Sequence, residues 1–591
     1  MDTAKLIINN QFIEVPTSYT VLEAAQKLGI DVPHLCFLKG INENASCRLC
    51  VVEIKGIRSL KNSCTVKVSD GMVVTTNSER VNKAVKCNLE LIAANHVFEC
   101  WHCPREHNCE LLRLLRKYNI KNTMGENSDF SKRIPIINIT DSIVIDNSKC
   151  ILCGRCIAAC EKMSGTSVLN YNYRGFNVYV GPALNHSMED SGCIYCGKCI
   201  QACPTGAIRE RDNIEEVLEV IDDANVYKVV QIAPSVRAAI GEEFGYPIGT
   251  NVEGKLYAAL KKIGFDDITD TNFAADVTIM EEGTEFIERF ETYLKTGVST
   301  LPLFTSCSPG WIRYIETYYP DFLPHLSSCK SPQQMQGAII KGYYSYKLNI
   351  HPEKIKVVSV MPCIAKKAEA KRPEMEYKGV RDVDVVITTR ELARLIKRKD
   401  IPFTSLEDYE PTSPLAQYTG AGVIFGATGG VMEAALRTVK EILEQKEYGE
   451  VEIEPLRGVD NGIKEASLKI AGHDLCVAVV HGAVNIPEMM RRIKENPNKY
   501  AFIEFMACTG GCVNGGGQPI VPSYIANDLD IRVERAKALY KVDHDKTLRK
   551  SHKNPEVIKL YKEMLEKPGS HLAHEMLHTD YCKRTIYHED E

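Results

Sequence analysis

Several absences bound what this 591-residue chain can be. It has no uninterrupted apolar run of about 18 residues, so it offers no segment suited to spanning a bilayer. Charge of one sign is not in excess. The 72 Lys and Arg against 77 Asp and Glu leave a net charge of -5, which gives no case for nucleic-acid binding. The opening "MDTAKLIINNQF" lacks the basic, apolar and cleavable pattern of a secretion signal, and a cytoplasmic location is expected. No nucleotide-binding fingerprint is present either, since "FGATGGVMEAA" fits neither GxGxxG nor GK[ST] and reads as packing. Composition is ordinary for a folded chain, at 44% apolar and 25% charged, and the length calls for several domains, at least one of them large.

Cysteine, by contrast, is abundant, with 23 in all. Disulfides are uncommon in the cytoplasm, so metal binding is the expected use. Inert buried thiols would scatter, yet 16 of the 23 precede residue 204, mostly in groups with two or three residues between neighbours.

Near the start, "DTAKLIINNQFIEV" reads as two strands about an Asn-Asn turn and "VLEAAQKLG" as a short helix stopped by Gly29. Cys36, Cys47, Cys50 and Cys64 follow inside a small β-rich domain. They suit a 2Fe-2S cluster with a longer first gap than the plant-type pattern, although four thiolates also satisfy zinc. In "HVFECWHCPREHNC", His96, Cys100, Cys103 and Cys109 form a candidate site, with His96 and Cys100 expected one helical turn apart. Zinc and a histidine-ligated cluster fit it equally, and His102 and His107 compete as ligands. A firmer signal is "CILCGRCIAAC" (Cys150, Cys153, Cys156, Cys160), echoed by "CIYCGKCIQACP" (Cys193, Cys196, Cys199, Cys203). This is two-cluster ferredoxin spacing, in which the fourth cysteine of each run serves the other cluster: Cys203 joins Cys150, Cys153 and Cys156, and Cys160 joins Cys193, Cys196 and Cys199.

Beyond Ile208, short apolar runs alternate with amphipathic stretches, an α/β rhythm with mostly parallel strands. Ligands in such sheets sit beyond the carboxyl ends of the strands. "VVSVMPCIAKK" delivers Cys363 there, with Lys366 and Lys367 behind it. "FIEFMACTGGCVNGGGQP" delivers Cys508 and Cys512, and Gly515, Gly516 and Gly517 permit close backbone approach or aim amides at an electron-rich ligand. "TSCSPGW" adds Cys307 and Ser308 before a Pro-Gly turn.

With these motifs in order, the whole chain resembles the iron-only (FeFe) hydrogenases of the long, clostridial ferredoxin-hydrogenase type with four accessory clusters. The resemblance implies a multidomain α/β plus α+β architecture, with N-terminal ferredoxin-like modules and a large two-lobed α/β catalytic domain of mainly parallel sheets. Its parts would be a 2Fe-2S domain at 1–80, a 4Fe-4S segment with one histidine and three cysteine ligands at 81–125, a two-cluster 4Fe-4S domain at 126–209, a catalytic domain at 210–525 and a small-subunit-like region at 526–591. The cofactors implied are one 2Fe-2S cluster, three accessory 4Fe-4S clusters and an H-cluster. The last is a 4Fe-4S cubane joined to a di-iron unit bearing CO, cyanide and a bridging dithiolate amine.

By motif match, Cys363 and Cys508 would hold the cubane and Cys512 would bridge its two parts. Lys366 would pair with a cyanide. Pro234, Ser235, Gln333, Met361 and Met506 would line the di-iron pocket. Arg289, Glu285, Ser327, Glu282 and Cys307 would carry protons from solvent, with Glu282, Glu285 and Arg289 spaced along one helix face. The family has two adjacent cysteines where this chain has Cys307 and Ser308. Aligned without a gap, Cys307 would be the proton relay and Ser308 would stand in place of a cubane ligand; a one-residue shift would instead make Cys307 the ligand and leave the proton step to another group. Cys329 reads as a small buried residue, and Cys87, Cys476 and Cys582 match no ligand role.

The activity implied is reversible interconversion of protons and electrons with H2. Ferredoxin or flavodoxin would be the electron partner, hydrogenase maturation proteins would insert the di-iron unit, and the chain would act as a monomer or as a subunit of a larger hydrogenase. Two other readings stand beside it. One is the catalytic subunit of an NAD(P)-linked or electron-bifurcating complex. The other is an H2 or redox sensor, or a hydrogenase-like assembly protein with altered ligation at Ser308.

Overall fold

Alternation along Thr3–Ile8 puts Ala4, Leu6 and Ile8 on the buried face of a strand. That strand pairs antiparallel with Gln11–Pro16 through Asn9 and Asn10, both at positive φ as a tight hairpin turn requires. The computed structural model describes residues 2–120, 137–449 and 452–587, so 121–136, within two of the expected modules, lie outside the described residues. A five-stranded sheet and the helix Val21–Lys27 form the first module. Thr20 and Glu23 close a capping box on that helix, which buries Val21, Leu22, Ala24 and Ala25.

The expected helical turn between His96 and Cys100 does not form. The helix Glu79–Ala93 ends first, and Cys100 opens a separate 3-10 turn, Cys100–His102. The two ferredoxin-like halves that follow repeat one local solution. Gly154 and Gly197 adopt left-handed φ of 79° and 70°, each starting a helix that carries its run's third cysteine, Arg155–Lys162 with Cys156 and Cys160, and Lys198–Ala202 with Cys199 and with Cys203 just past its end.

The large domain holds two four-stranded sheets. One orders Asp267–Asp270, Tyr227–Ile232, Ile355–Met361 and Val385–Thr388, all parallel. In the other, Leu303–Phe304, Phe502–Met506 and His473–His481 are parallel, and Ile463–Ile470 joins the edge antiparallel. The 26-residue helix Thr271–Thr296 packs Phe273, Ala274 and Val277 into one core and Ala275, Ile279 and Phe286 into the other. Its first half is buried almost all round, which is where a helix between two lobes must lie. The last part of the chain adds three helices, Ile531–Asp545, Pro555–Leu560 and His571–Leu577.

Polar junctions tie the modules together. Arg155 donates to Glu110 at 2.8 and 3.2 Å, to the Phe37 carbonyl at 2.9 Å and to Ser523 Oγ at 3.4 Å. Ser523 in turn donates to Glu110 at 3.0 Å and meets His34 at 3.4 Å. All of these side chains are buried, so four stretches of the chain share one charge network, with Arg155 Nε alone of its guanidinium nitrogens left without a partner.

Candidate active site and its thiol cages

The spacing rule of the double motif becomes a spatial fact. Cys150, Cys153, Cys156 and Cys203 line one cavity, and Cys160 is not among them. Cys160 instead acts electrostatically on Cys193, Cys196 and Cys199. In the first module Cys50 and Cys64 lie 3.2 Å apart, with Cys36 and Cys47 close enough to raise the Cys64 thiol further. His96 is mostly buried with its Nδ1 unpartnered, and burial lowers its pKa to about 4, so it is a neutral imidazole fit to bind a metal. His102 and His107 are exposed.

These sites form a branched row. Asn42 Nδ2 donates to the carbonyls of both Cys36 and Cys153, at 2.7 and 3.1 Å, joining the first site to the Cys150 cage. From the other side, the Cys103 sulfur lies against Gly206, where an added Cβ would fall 2.5 Å from it, and Glu110 N donates to the Pro204 carbonyl. The Cys193 cage then meets the catalytic domain. Lys198 donates to the Asn514 carbonyl at 2.6 Å and Gln201 to that of Gly515 at 2.9 Å. A Cβ on Gly516 would lie 2.5 Å from the Cys196 carbonyl and 2.7 Å from Gly197 Cα. The Gly515–Gly517 run thus serves close domain contact. Its amides at 515 and 517 are taken by the Cys512 and Pro362 carbonyls, so the expectation that they aim at a ligand does not hold for those two.

At the carboxyl ends of the strands Ile355–Met361 and Phe502–Met506, one cavity gathers Cys363, Cys508 and Cys512 with Cys307 and Ser308. Pro234, Met361, Phe425 and Met506 supply its apolar wall, and Gln333 and Lys366 also line it. Ser235 lies beneath this wall: its Oγ donates to the Cys512 carbonyl at 3.2 Å and accepts from Gln518 at 3.1 Å. Ser308 heads the helix Pro309–Tyr318, and its Oγ accepts from Ala507 N at 3.3 Å. Burial, then the neighbouring Cys508, pushes the Cys512 thiol up to about 12, and Cys363 shifts up for the same reasons. Thiols this buried and this close become thiolates together only around cationic metal, so the donor set fits an iron-sulfur group.

Lys366 Nζ donates to Glu369 at 2.8 Å and to the Cys307 carbonyl at 3.3 Å. Glu369, absent from the sequence reading, also accepts from Ser331 and Gln333. Its signal was the i,i+3 spacing from Lys366. Glu504 was missed too. It accepts from Gly429 N and Met432 N, so the glycine-rich turn beside Phe425 binds a protein carboxylate.

The proton-bearing groups form a row. Arg289 donates to Glu285 at 2.6 Å, and Ser327 Oγ donates to Glu285 Oε2 at 2.8 Å. Glu282 is fully buried, accepts from Ser306 N at 3.3 Å and leaves Oε2 unpartnered. Burial, then the charge of Glu285, raises its pKa to about 8. Burial and Glu282 likewise raise that of Cys307.

A buried iron-sulfur core fed by cysteine cages defines a redox enzyme, and comparison with known proteins gives its kind: the chain belongs to the FeFe hydrogenases. Residues 226–516 match the iron only hydrogenase large subunit, C-terminal domain, and 529–584 the iron hydrogenase small subunit. Residues 2–79 match a 2Fe-2S iron-sulfur cluster binding domain and 149–207 a 4Fe-4S dicluster domain. The chain is 45% identical to NADP-reducing hydrogenase subunit HndD of Solidesulfovibrio fructosivorans, over 99% of this chain and 100% of that one. It is 44% identical to iron hydrogenase 1 of Clostridium pasteurianum, over 98% and 100%. Among solved structures, an apo variant of [FeFe]-hydrogenase HydA1 from Chlamydomonas reinhardtii matches at 38% identity and a TM-score of 0.56, covering 63% of this chain and 99% of that one. The 2Fe-2S and 4Fe-4S clusters and the H-cluster expected from the sequence are those of this family. Among the described residues no helix is long and apolar enough to cross a membrane.

Proposed function

We propose that this hydrogenase interconverts protons and electrons with H2 in the cytoplasm, exchanging electrons with ferredoxin or flavodoxin through its accessory clusters. The observation that carries this reading is the convergence of Cys363, Cys508 and Cys512 with Cys307, Ser308 and Lys366 on one apolar-walled cavity. Cys363 and Cys508, with Ser308 in the remaining position, would hold the cubane, and Cys512 would bridge it to the di-iron unit. When bound, the H-cluster supplies the chemistry that joins two electrons and two protons.

The chain's own part is to move protons and electrons to that cavity and keep water out. Glu369 holds the Lys366 ammonium at the wall, where it would meet an anionic ligand. Cys307 passes a proton into the cavity and takes one from Glu282. Glu282 is resupplied through Ser327 from Glu285, whose partner Arg289 is partly exposed. Electrons would enter at the Cys36 or the His96 site, meet at the Cys150 cage and reach the cavity through the Cys193 cage, following the contacts across Asn42, Gly206 and Gly516.

Infrared bands of iron-bound CO and cyanide in protein made with its maturation machinery, together with H2 evolution from a reduced dye, test this reading; their absence would overturn it. A second reading is favoured by the full-length likeness to a chain named as an NADP-reducing hydrogenase subunit. In that case this chain is the hydrogen-converting subunit of an NAD(P)-linked assembly, and it will copurify with a flavin-bearing partner.

A further inference from the structure

One buried imidazole lies beside the proton row without belonging to it. His578, just past the helix His571–Leu577, has a side chain only 6% exposed. Its Nδ1 is 2.8 Å from Ser328 Oγ and its Nε2 is 3.1 Å from Glu281 Oε2. Glu281 also accepts from Tyr561 OH at 2.5 Å and from Gly569 N at 2.9 Å, which leaves it no need of solvent. The backbone completes the clamp: Cys329 and His578 form an antiparallel bridge, flanked by Lys330 N to the Leu577 carbonyl at 2.7 Å and Thr579 N to the Ser328 carbonyl at 2.8 Å. Ser328 N donates at 3.2 Å to Glu285 Oε2, the same oxygen that accepts from Ser327. The C-terminal segment therefore grips the short loop on which the proton row turns.

We infer that His578 and Glu281 form a second, proton-loading branch that feeds Glu285 through the Ser328 hydroxyl, an assignment that rests on the hydrogenase reading above. With His578 neutral and Nε2–H directed at Glu281, Ser328 O–H donates to Nδ1 and is unavailable to Glu285. A proton gained by His578 makes Nδ1 a donor, and Ser328 must then accept. Its own O–H is released, one side-chain rotation from the carboxylate that its amide already touches. Nδ1–H passes to Ser328 Oγ as the Ser328 proton passes to Glu285; one N–H bond and one O–H bond break, two O–H bonds form, and the imidazole returns to neutral.

Supply comes from His574, which is exposed and lies with its ring centroid 4.1 Å from that of His578. The groups facing His578 are Glu281 on the long helix, Ser328 and Cys329 on the loop, His574 on its own helix and Tyr561 behind Glu281. The helix Pro332–Ile339, packed against His571–Leu577, carries no charged side chain. His578 acts through Glu285 and is thus a positioning residue of the row.

The test uses the full chain lacking the di-iron unit. The infrared stretch of the Glu285 carboxylate, assigned by its loss in Glu285→Gln, is followed against pH. In the wild type it should shift when His578 gives up its proton, because the Ser328 hydroxyl then turns from Glu285 to Nδ1; His578→Phe and Ser328→Ala should each lose this step, and Ser328→Thr should restore it. In the loaded enzyme His578→Phe should slow proton reduction roughly tenfold, less than the 10²–10⁴-fold expected of a group that hands the proton on directly, and change the shape of the pH profile. A wild type without this step, or a step that persists in both variants, overturns the inference. Because the carboxyl titration needs no di-iron unit, missing CO and cyanide bands in the wild type would sink the hydrogenase reading while leaving this coupling open to measurement.

Discussion

Residues 150–203 and the catalytic cavity both gather sulfur around iron, but they assemble it in opposite ways. The first packs eight thiols into one module, where two left-handed glycines and two short helices fix each cage from local sequence. The second brings its thiols from three loops at the ends of strands in two different sheets, and it exists only once both lobes are folded. A cage of local origin should tolerate damage elsewhere, whereas a cage of convergent loops should register it.

The largest break in that comparison is Cys512→Ala. It should abolish CO and cyanide bands and H2 turnover while the accessory clusters keep their electron paramagnetic resonance signals. Loss of the Cys150-cage signal in this variant would contradict the separation. Cys160→Ala is the converse change. It should disturb the cluster of Cys193, Cys196 and Cys199 and spare that of Cys150, Cys153, Cys156 and Cys203, as the cavity they line requires.

Next in size is Glu282. Glu282→Gln should lower proton reduction by roughly 10²–10⁴-fold with the CO and cyanide bands retained. The wild-type rate should fall as pH rises through about 8, where this carboxyl loses its proton. Stability follows the same sign. A carboxyl whose folded pKa is raised favours the native state fully below its unfolded pKa and loses that contribution as pH climbs to about 8. Chemical denaturation should accordingly show the wild type losing ground to Glu282→Gln between pH 5 and 8, by at most about 1.4 kcal/mol per pH unit.

A smaller effect belongs to the seam between the regions. Gly516→Ala puts a methyl 2.5 Å from the Cys196 carbonyl, backbone that cannot yield cheaply. Overpacking of this kind costs about 1–3 kcal/mol. Reduction of the catalytic centre by an accessory-cluster donor should slow, while exchange between H2 and deuterated water, which needs no electrons from outside, should persist. The smallest change is Cys87→Ser, on an exposed helix position, which should leave iron content unchanged.

What the sequence disclosed follows the same division. Cysteine spacing alone assigned Cys203 to the earlier run and Cys160 to the later one, because the geometry of a short loop is written in its own residues. Strand-end placement of Cys363 and Cys508 was equally legible from apolar runs that stop at the motif. His96 and Cys100 were expected one helical turn apart on a helix that ends before either, since spacing does not show where a helix without a C-terminal glycine stops. Glu369, Glu504 and Gln518 escaped notice because each acts through a partner distant in sequence or hidden in an ordinary helix. For the glycine run, close approach and aimed amides were both legible, and choosing between them depends on Cys196 arriving from another module.

The network of Arg155, Glu110, Ser523 and His34 governs how this architecture can be shortened. Excising 81–125 alone would strand the Arg155 guanidinium without its carboxylate, a loss of about 3–5 kcal/mol for a buried charge deprived of its mate. Cutting away everything before the catalytic domain leaves behind only the Ser523 hydroxyl, which water can serve. Shortening this chain from its amino terminus should therefore be better tolerated at the catalytic-domain boundary than by excision of 81–125.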